Sequence, residues 1–254
     1  MKKLLFLLVL ITILSFISCK KGDNRDNIVY KNGAVVLTFD DHYVNDWLMA
    51  DTVLEKYNWR ASFGLTLYNE RTEEEITGLQ YLESKGHEIA SHSLRHKNAS
   101  QYVKMHGLES YLKIEVDSMN TLMNKKFNKV TAFVYPNGSH TAEIDAVMLN
   151  RFNILRGATS SKKPPKDQDC YFNGSHIVNA WGIDHNYEHY SKELLTELLQ
   201  FANDNNLILI LYAHRVTHNV TINYQVNIST LEYICKYVDN NNMTFLTLSD
   251  LAEL

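Results

Sequence analysis

The rhythm of hydrophobic and polar positions changes in a regular way from residue 33 onward. Short runs rich in β-branched and aromatic residues alternate with longer stretches in which apolar residues recur every three or four positions. The short runs predict strands near 34–39, 60–67, 87–92, 130–135, 153–158, 176–183, 207–213 and 244–248, with helices in most of the gaps. The clearest helix, about 107–127, carries Leu112, Val116, Met119, Met123 and Phe127 on one face. Such a face is buried, so the two methionines belong to a core rather than to a ligand box. Strands alternating with helices, without an internal repeat or low-complexity linker, predict an α/β fold: a barrel-like single domain with a largely parallel sheet. The one long irregular stretch, 159–175, is expected to be a surface loop over one end of the barrel.

Composition adds little to this picture except at the N-terminus. In 254 residues, 45% hydrophobic and 21% charged with three prolines, there is material for one well-packed domain. Lys2 and Lys3 precede an apolar run from Leu4 to Leu14, and small or mildly polar residues lead to Cys19. That order is a secretion signal, and the run falls short of the ~20 residues of a bilayer span. Phe16-Ile17-Ser18-Cys19 resembles a bacterial lipobox, with Phe where Leu is usual. The expected division is a signal peptide over 1–18, a polar tether over 19–32 beginning at lipidated Cys19, and a domain over 33–254.

Cleavage removes two lysines and moves the formal charge from -4 to -6, which argues against nucleic acid or an acidic polymer as partner. Membrane attachment is expected through lipid alone, at the bacterial cell envelope, by a protein acting as a monomer. Cys170 and Cys235 lie far apart without a CxxC spacing, and a disulfide between them, open to a protein outside the cytoplasm, is the lesser expectation.

Candidate chemistry sits at the strand ends, where barrel enzymes place reacting groups. The first strand runs into Asp40-Asp41, the third into His92-Ser93-Leu94-Arg95-His96, the fourth into Tyr135-Pro136-Asn137-Gly138 and the seventh into His214. Two histidines four apart, on one side of a helical turn, let both imidazoles meet one divalent ion, with a carboxylate as third ligand and open positions for water and substrate. Zinc bound in this way is hydrolytic, with cobalt or nickel as alternatives. Adjacent carboxylates on an extended chain point opposite ways, so one is free to bind metal while the other takes a proton. An amide nitrogen leaves only when protonated, and His214 is the candidate acid. A lone HxxxH or Asp-Asp pair is common by chance; their placement at successive strand ends carries the weight.

The order TFDD, HSxxH, PxG and LxxH resembles the polysaccharide deacetylases, also called NodB-homology or carbohydrate esterase family 4 proteins, over about residues 33–250. The resemblance implies a distorted (β/α) barrel of seven to eight strands that removes N-acetyl, sometimes O-acetyl, groups from a polysaccharide or oligosaccharide. It implies Asp40 as general base, Asp41, His92 and His96 as metal ligands, and His214 as general acid. The Asn137 N–H would donate to the oxyanion, with Tyr135 and Pro136 supporting the turn.

This chain departs from the family in three places. Val134 stands where many members carry an arginine that orients the base, and Arg156 is the expected substitute from the next strand. His42 replaces a glycine and is expected to narrow the site or touch substrate. The carboxylate and aromatic residue that tune the acid are best matched by Asp184 and Trp181. Besides an N-deacetylase, the readings left open are an O-acetyl esterase and a catalytically weak carbohydrate-binding relative.

Overall fold

The computed structural model describes residues 32–254; the signal segment, Cys19 and all but the last residue of the tether lie outside the described residues. Seven parallel strands form a closed ring: β1 Ala34–Asp41, β2 Ser62–Leu65, β3 Glu88–Ser91, β4 Ala132–Val134, β5 Ile154–Thr159, β6 Ile177–Gly182 and β7 Ile208–Ala213. Each pairs with the next, and β7 returns to β1 over Ala34–Phe39. Helices α1 Val44–Leu54, α2 Glu73–Ser84, α3 Ala99–His106, α4 Leu108–Tyr111, α5 Ser118–Met123, α6 Ala142–Met148, α7 Lys192–Asp204 and α8 Ile228–Asn240 fill most of the connections.

The runs AVVLTF and ILILYA are apolar throughout because both faces of the sheet are covered. Strand alternation divides their side chains. Val35, Leu37 and Phe39 face outward into a large core with Trp47 and Leu54 of α1 and Leu195 and Leu198 of α7. Ala34, Val36, Ala132, Val134, Ala180 and Ile210 face inward, and the small residues among them suit the narrow interior. The inward set of β1 continues through Thr38 to Asp40, so the alternation that fills the barrel also delivers a carboxylate to its mouth.

An eighth strand predicted from sequence, β10 Thr244–Leu246, lies outside the ring proper and pairs with the first half of β1, where β2 has diverged. A short helix, α9 Leu248–Leu251, follows it, and the Leu248 N–H and the Ser249 hydroxyl bond Ser62 and Glu88 at this end. A small parallel pair, β8 Arg215–Thr217 with β9 Gln225–Asn227, has no counterpart in the sequence reading.

The segment after β5 departs from the expected surface loop. Its residue Cys170 is buried, Tyr171 bridges Leu209, and the Phe172 N–H bonds the Ile208 carbonyl, so this part replaces a stretch of wall where β6 and β7 do not pair. The predicted 107–127 helix is interrupted by a π-helical stretch at Leu112–Asp117, although its apolar positions are buried as expected. Cys170 and Cys235 are buried thiols without a bridge. No helix among the described residues is long and apolar enough to cross a membrane.

Candidate active site

One cleft of about 240 Å³ at the C-terminal ends of the strands brings together Asp40, Asp41, His92, His96, Asn137, Arg156 and His214. Strict alternation would send Asp41 away from Asp40. The backbone at Asp41 instead takes a positive φ of 83°, which turns its carboxylate back, and both acids line the cleft. The reversal carries His42 away: it stacks on Tyr43 with centroids 4.7 Å apart, in a neighbouring groove with Arg71 and Glu75, and does not line the cleft as expected.

Asp40 is buried and ion-paired to the guanidinium of buried Arg156. Arg156 stands in register with Val134, at the level where the expected arginine is missing, and reaches Asp40 from the adjacent strand. Its guanidinium also lies over the Tyr212 ring at 5.1 Å. Burial alone would push the Asp40 carboxyl upward, but the charge and hydrogen bond of Arg156, together with the charge of His214, outweigh it and hold Asp40 below the usual carboxylate range.

The two histidines converge by a route other than the predicted helical turn. Residues 92–96 form a loop with left-handed residues at Ser93 (φ 60°) and His96 (φ 54°). Asp41 Oδ1 lies 3.7 Å from His92 Nε2 and 3.2 Å from His96 Nε2. One ligand atom from each residue falls within 4.8 Å of the others.

The buried His92 Nδ1–H donates to the Val134 carbonyl at 2.8 Å, leaving the Nε2 lone pair toward Asp41. Burial, with His96 nearby, pushes the His92 pKa down to about 4, so the ring is neutral as a ligand must be. Two imidazoles and a carboxylate, one histidine fixed by a backbone carbonyl, are a donor set that fits a zinc-like ion.

Opposite them stands His214. Its Nδ1–H donates to Asp184 Oδ2 at 2.6 Å, and its backbone N–H reaches Asp184 Oδ1 at 3.2 Å. Burial lowers the pKa of this imidazole, but the Asp184 hydrogen bond and the charges of Asp40, Asp184 and Asp41 more than offset that, and the net shift is upward. Asp184 thus meets its expected partner. Trp181 does not: it points out of the barrel, buried, with its Nε1–H on the Ser161 carbonyl at 3.0 Å. The cause is alternation, which turns Ala180 inward and Trp181 outward.

The turn Pro136–Gly138 closes through N–H bonds of Gly138 and Ser139 to the carbonyls of Tyr135 and Pro136. Asn137 and Gly138 both have positive φ, and a Cβ on Gly138 would meet Ala158 at 2.7 Å, so glycine is required there. Tyr135 and Pro136 are buried beneath the turn; the Tyr135 hydroxyl donates to Asp145 at 2.8 Å, and His140 donates to the same carboxylate at 2.8 Å.

Three tyrosines that sequence reasoning did not single out also line the cleft: Tyr187, Tyr212 and half-exposed Tyr224. Only Tyr212, two residues before His214 on an inward strand position, carried a sequence signal. Gly182 makes room for the group, since a Cβ there would meet Tyr187 at 2.6 Å.

The set can bind a divalent ion, hold an ionised base beside it and present a protonated acid across the cleft. Comparison with known proteins bears on the family and the fold. Residues 29–151 match the family model for polysaccharide deacetylase. No curated protein matches.

Among solved structures, the chain resembles the Xyl-CE4 domain of a multidomain xylanase from the hindgut metagenome of Trinervitermes trinervoides, at 19% identity and TM-score 0.56, covering 88% of this chain and 91% of that one. It resembles the peptidoglycan deacetylase PdaC of Bacillus subtilis at 17% identity and TM-score 0.54, covering 88% and 91%. A CE4 family pseudoenzyme from Bacillus anthracis is similar at 13% identity and TM-score 0.54, covering 87% and 66%. These likenesses show a shared (β/α) barrel. The family model covers the strands that carry Asp40, Asp41, His92, His96 and Asn137, and the barrel around the cleft is the fold of these structures, so over residues 29–151 the chain is similar to the polysaccharide deacetylases.

Proposed function

We propose that this protein is a metal-dependent deacetylase that removes acetyl groups, N-acetyl foremost, from a polysaccharide outside the cell. The observation that carries the reading is the pairing across one cleft of an arginine-held Asp40 with an aspartate-held His214, beside the Asp41, His92 and His96 cluster. Because the fold is shared with a pseudoenzyme, fold alone decides nothing about activity. The completeness of this set favours an enzyme over a glycan-binding relative.

Asp41, His92 and His96 would hold the ion, which when bound acidifies water and polarises the acetyl carbonyl. Asp40, kept ionised by Arg156, accepts the proton of the attacking water. The water oxygen adds to the carbonyl carbon, and the Asn137 N–H donates to the resulting oxyanion, a contact worth about 3 kcal/mol in hydrolases generally. His214, kept protonated by Asp184, then gives its proton to the sugar nitrogen as the carbon–nitrogen bond breaks. Acetate and a free amine leave.

An alkoxide leaves with less help than an amine, so the raised His214 favours an amide over an ester. Tyr187, Tyr212 and Tyr224 supply ring faces for the sugar. The cleft is smaller than the ~300–1,000 Å³ of sites that engulf drug-sized ligands, which suits one acetylated residue presented from a chain lying outside it.

Acetate release measured side by side from N-acetylated chitooligomers and acetylated xylan, with metal content on the same sample, tests the reading. Release from the chitooligomers by a metal-loaded protein is expected. Release from xylan alone would make it an O-acetyl esterase, and none from either would leave a binding protein. The Cys19 lipobox supports lipid anchoring at the envelope; Cys19→Ser should move the protein from the membrane fraction to the soluble one.

A further inference from the structure

We propose that Glu115 is a positioning residue that presets the metal-ligand loop before any ion arrives; the inference rests on the metal reading above. Glu115 lies in the π-helical stretch, far from the cleft in sequence and fully buried. A carboxylate in that position needs donors, and it finds them in the loop between His92 and His96. Its Oε2 accepts the Arg95 backbone N–H at 2.8 Å and its Oε1 accepts Arg95 Nε at 2.7 Å. Its own carbonyl accepts the Leu94 N–H at 2.9 Å. One residue thus holds two consecutive backbone N–H groups, the second directly before His96.

The carbonyls of the same loop are held from the other side. The Thr66 hydroxyl donates to Ser93 O at 2.8 Å and the Leu67 N–H to Leu94 O at 3.0 Å. Between these two sets of anchors the loop keeps left-handed conformations at Ser93 and His96, which non-glycine residues adopt only when their surroundings impose them. The anchoring carbonyl and carboxylate both lie within the π turn, and such turns are frequent at functional sites. The position is also anomalous in sequence, because Glu115 falls three residues after Leu112 and four before Met119, inside an otherwise apolar stripe. A charge there costs burial and contributes nothing to packing, whereas it fixes the direction in which His96 leaves the loop.

Groups that orient ligands from outside the coordination sphere change metal affinity by about 10–100-fold. The test is a titration of metal-free protein with cobalt(II), read by visible absorption, on wild type and Glu115→Gln. Gln keeps the shape but replaces one acceptor oxygen by a donor. Glu115→Gln should bind cobalt at least about tenfold more weakly, with an altered d–d spectrum. Arg95→Ala, which keeps the backbone N–H bond, should lose less.

Hydrogen exchange on metal-free wild type needs no variant: the Leu94 and Arg95 amides should be protected without metal, and fast exchange there would overturn the proposal. A Glu115→Gln protein of lower thermal stability but unchanged cobalt affinity and spectrum would reduce the residue to a structural one. Wild type that takes up no cobalt would instead remove the metal reading itself.

Discussion

The two halves of the barrel build the same cleft by different means. In the first half, β1 to β4, the chemistry comes as contiguous words: Asp40-Asp41, His92 to His96, and the turn at Asn137. In the second half, β5 to β7, it comes as isolated residues that acquire meaning only through a partner: Arg156 through Asp40, and His214 through Asp184. The division follows from what each half must do. Ligands converging on one ion must be close together and are efficiently placed by a short loop. Groups that tune a proton acceptor or donor need only reach it, and any strand of adequate register serves. Arg156 opposite Val134 is the instance: the guanidinium occupies the same level of the barrel from the neighbouring strand.

The sharpest way to break the comparison is to remove a ligand. His92→Ala should abolish metal binding and with it activity, because two donors do not replace three and His92 is the one fixed by a backbone carbonyl. Elemental analysis of reloaded protein decides it. Retained stoichiometric metal would mean that the first half is not a metal-binding unit.

Within the adjacent aspartates, Asp40→Asn should keep the metal and lower kcat by about 10²–10⁴-fold, the usual scale of general base catalysis. Asp41→Asn should weaken metal affinity first. If both variants lost metal alike, the distinction drawn between the two side chains would be wrong.

The second half is tested by Arg156→Ala. Metal content should be unchanged while kcat falls by about an order of magnitude or more with little change in KM, since a displaced base harms the chemical step rather than binding. Steady-state kinetics with metal analysis on the same sample read both. Normal turnover would show that metal and backbone position Asp40 without help.

The same contrast explains how much was legible beforehand. Eight strands and the residues at their ends could be read because burial of both sheet faces writes apolar runs, and the motifs stand where those runs stop. The loop geometry of His92 to His96 could not be read, since spacing of four suits a helical turn as well as a loop with left-handed residues at Ser93 and His96. Trp181 and Asp184 looked like one motif, but strand alternation sends one outward into the core and the next turn brings the other to His214. Glu115 was hidden inside a helix whose apolar periodicity was correctly read, because a periodicity search notes hydrophobic positions and passes over the one acid among them. The tyrosine cluster was hidden for a different reason: Tyr187, Tyr212 and Tyr224 come from separate segments and meet only in the fold.

The smallest effect, and the most specific to the second half, is expected from Asp184→Asn. Asp184 holds His214 by two hydrogen bonds and helps raise its pKa against a burial that would lower it. An acid catalyst must be protonated, so activity should fall as pH rises through that raised pKa. Asn keeps the size and an acceptor for the ring N–H but removes the charge. The alkaline limb of the kcat profile should therefore move to lower pH, with a several-fold loss at the optimum and little change in metal content.

Stability should respond with the same sign. A histidine whose folded pKa is raised contributes stability that is complete below its ordinary value and is lost as pH rises through the folded one. Asp184→Asn should thus cost more stability below the ordinary imidazole value than above the raised folded one, where His214 is neutral in both proteins. Kinetic profiles and thermal melts across that range read the two limbs separately. An unmoved alkaline limb would mean that Asp184 orients the imidazole without setting its proton affinity, and the second half would then tune its acid by geometry alone.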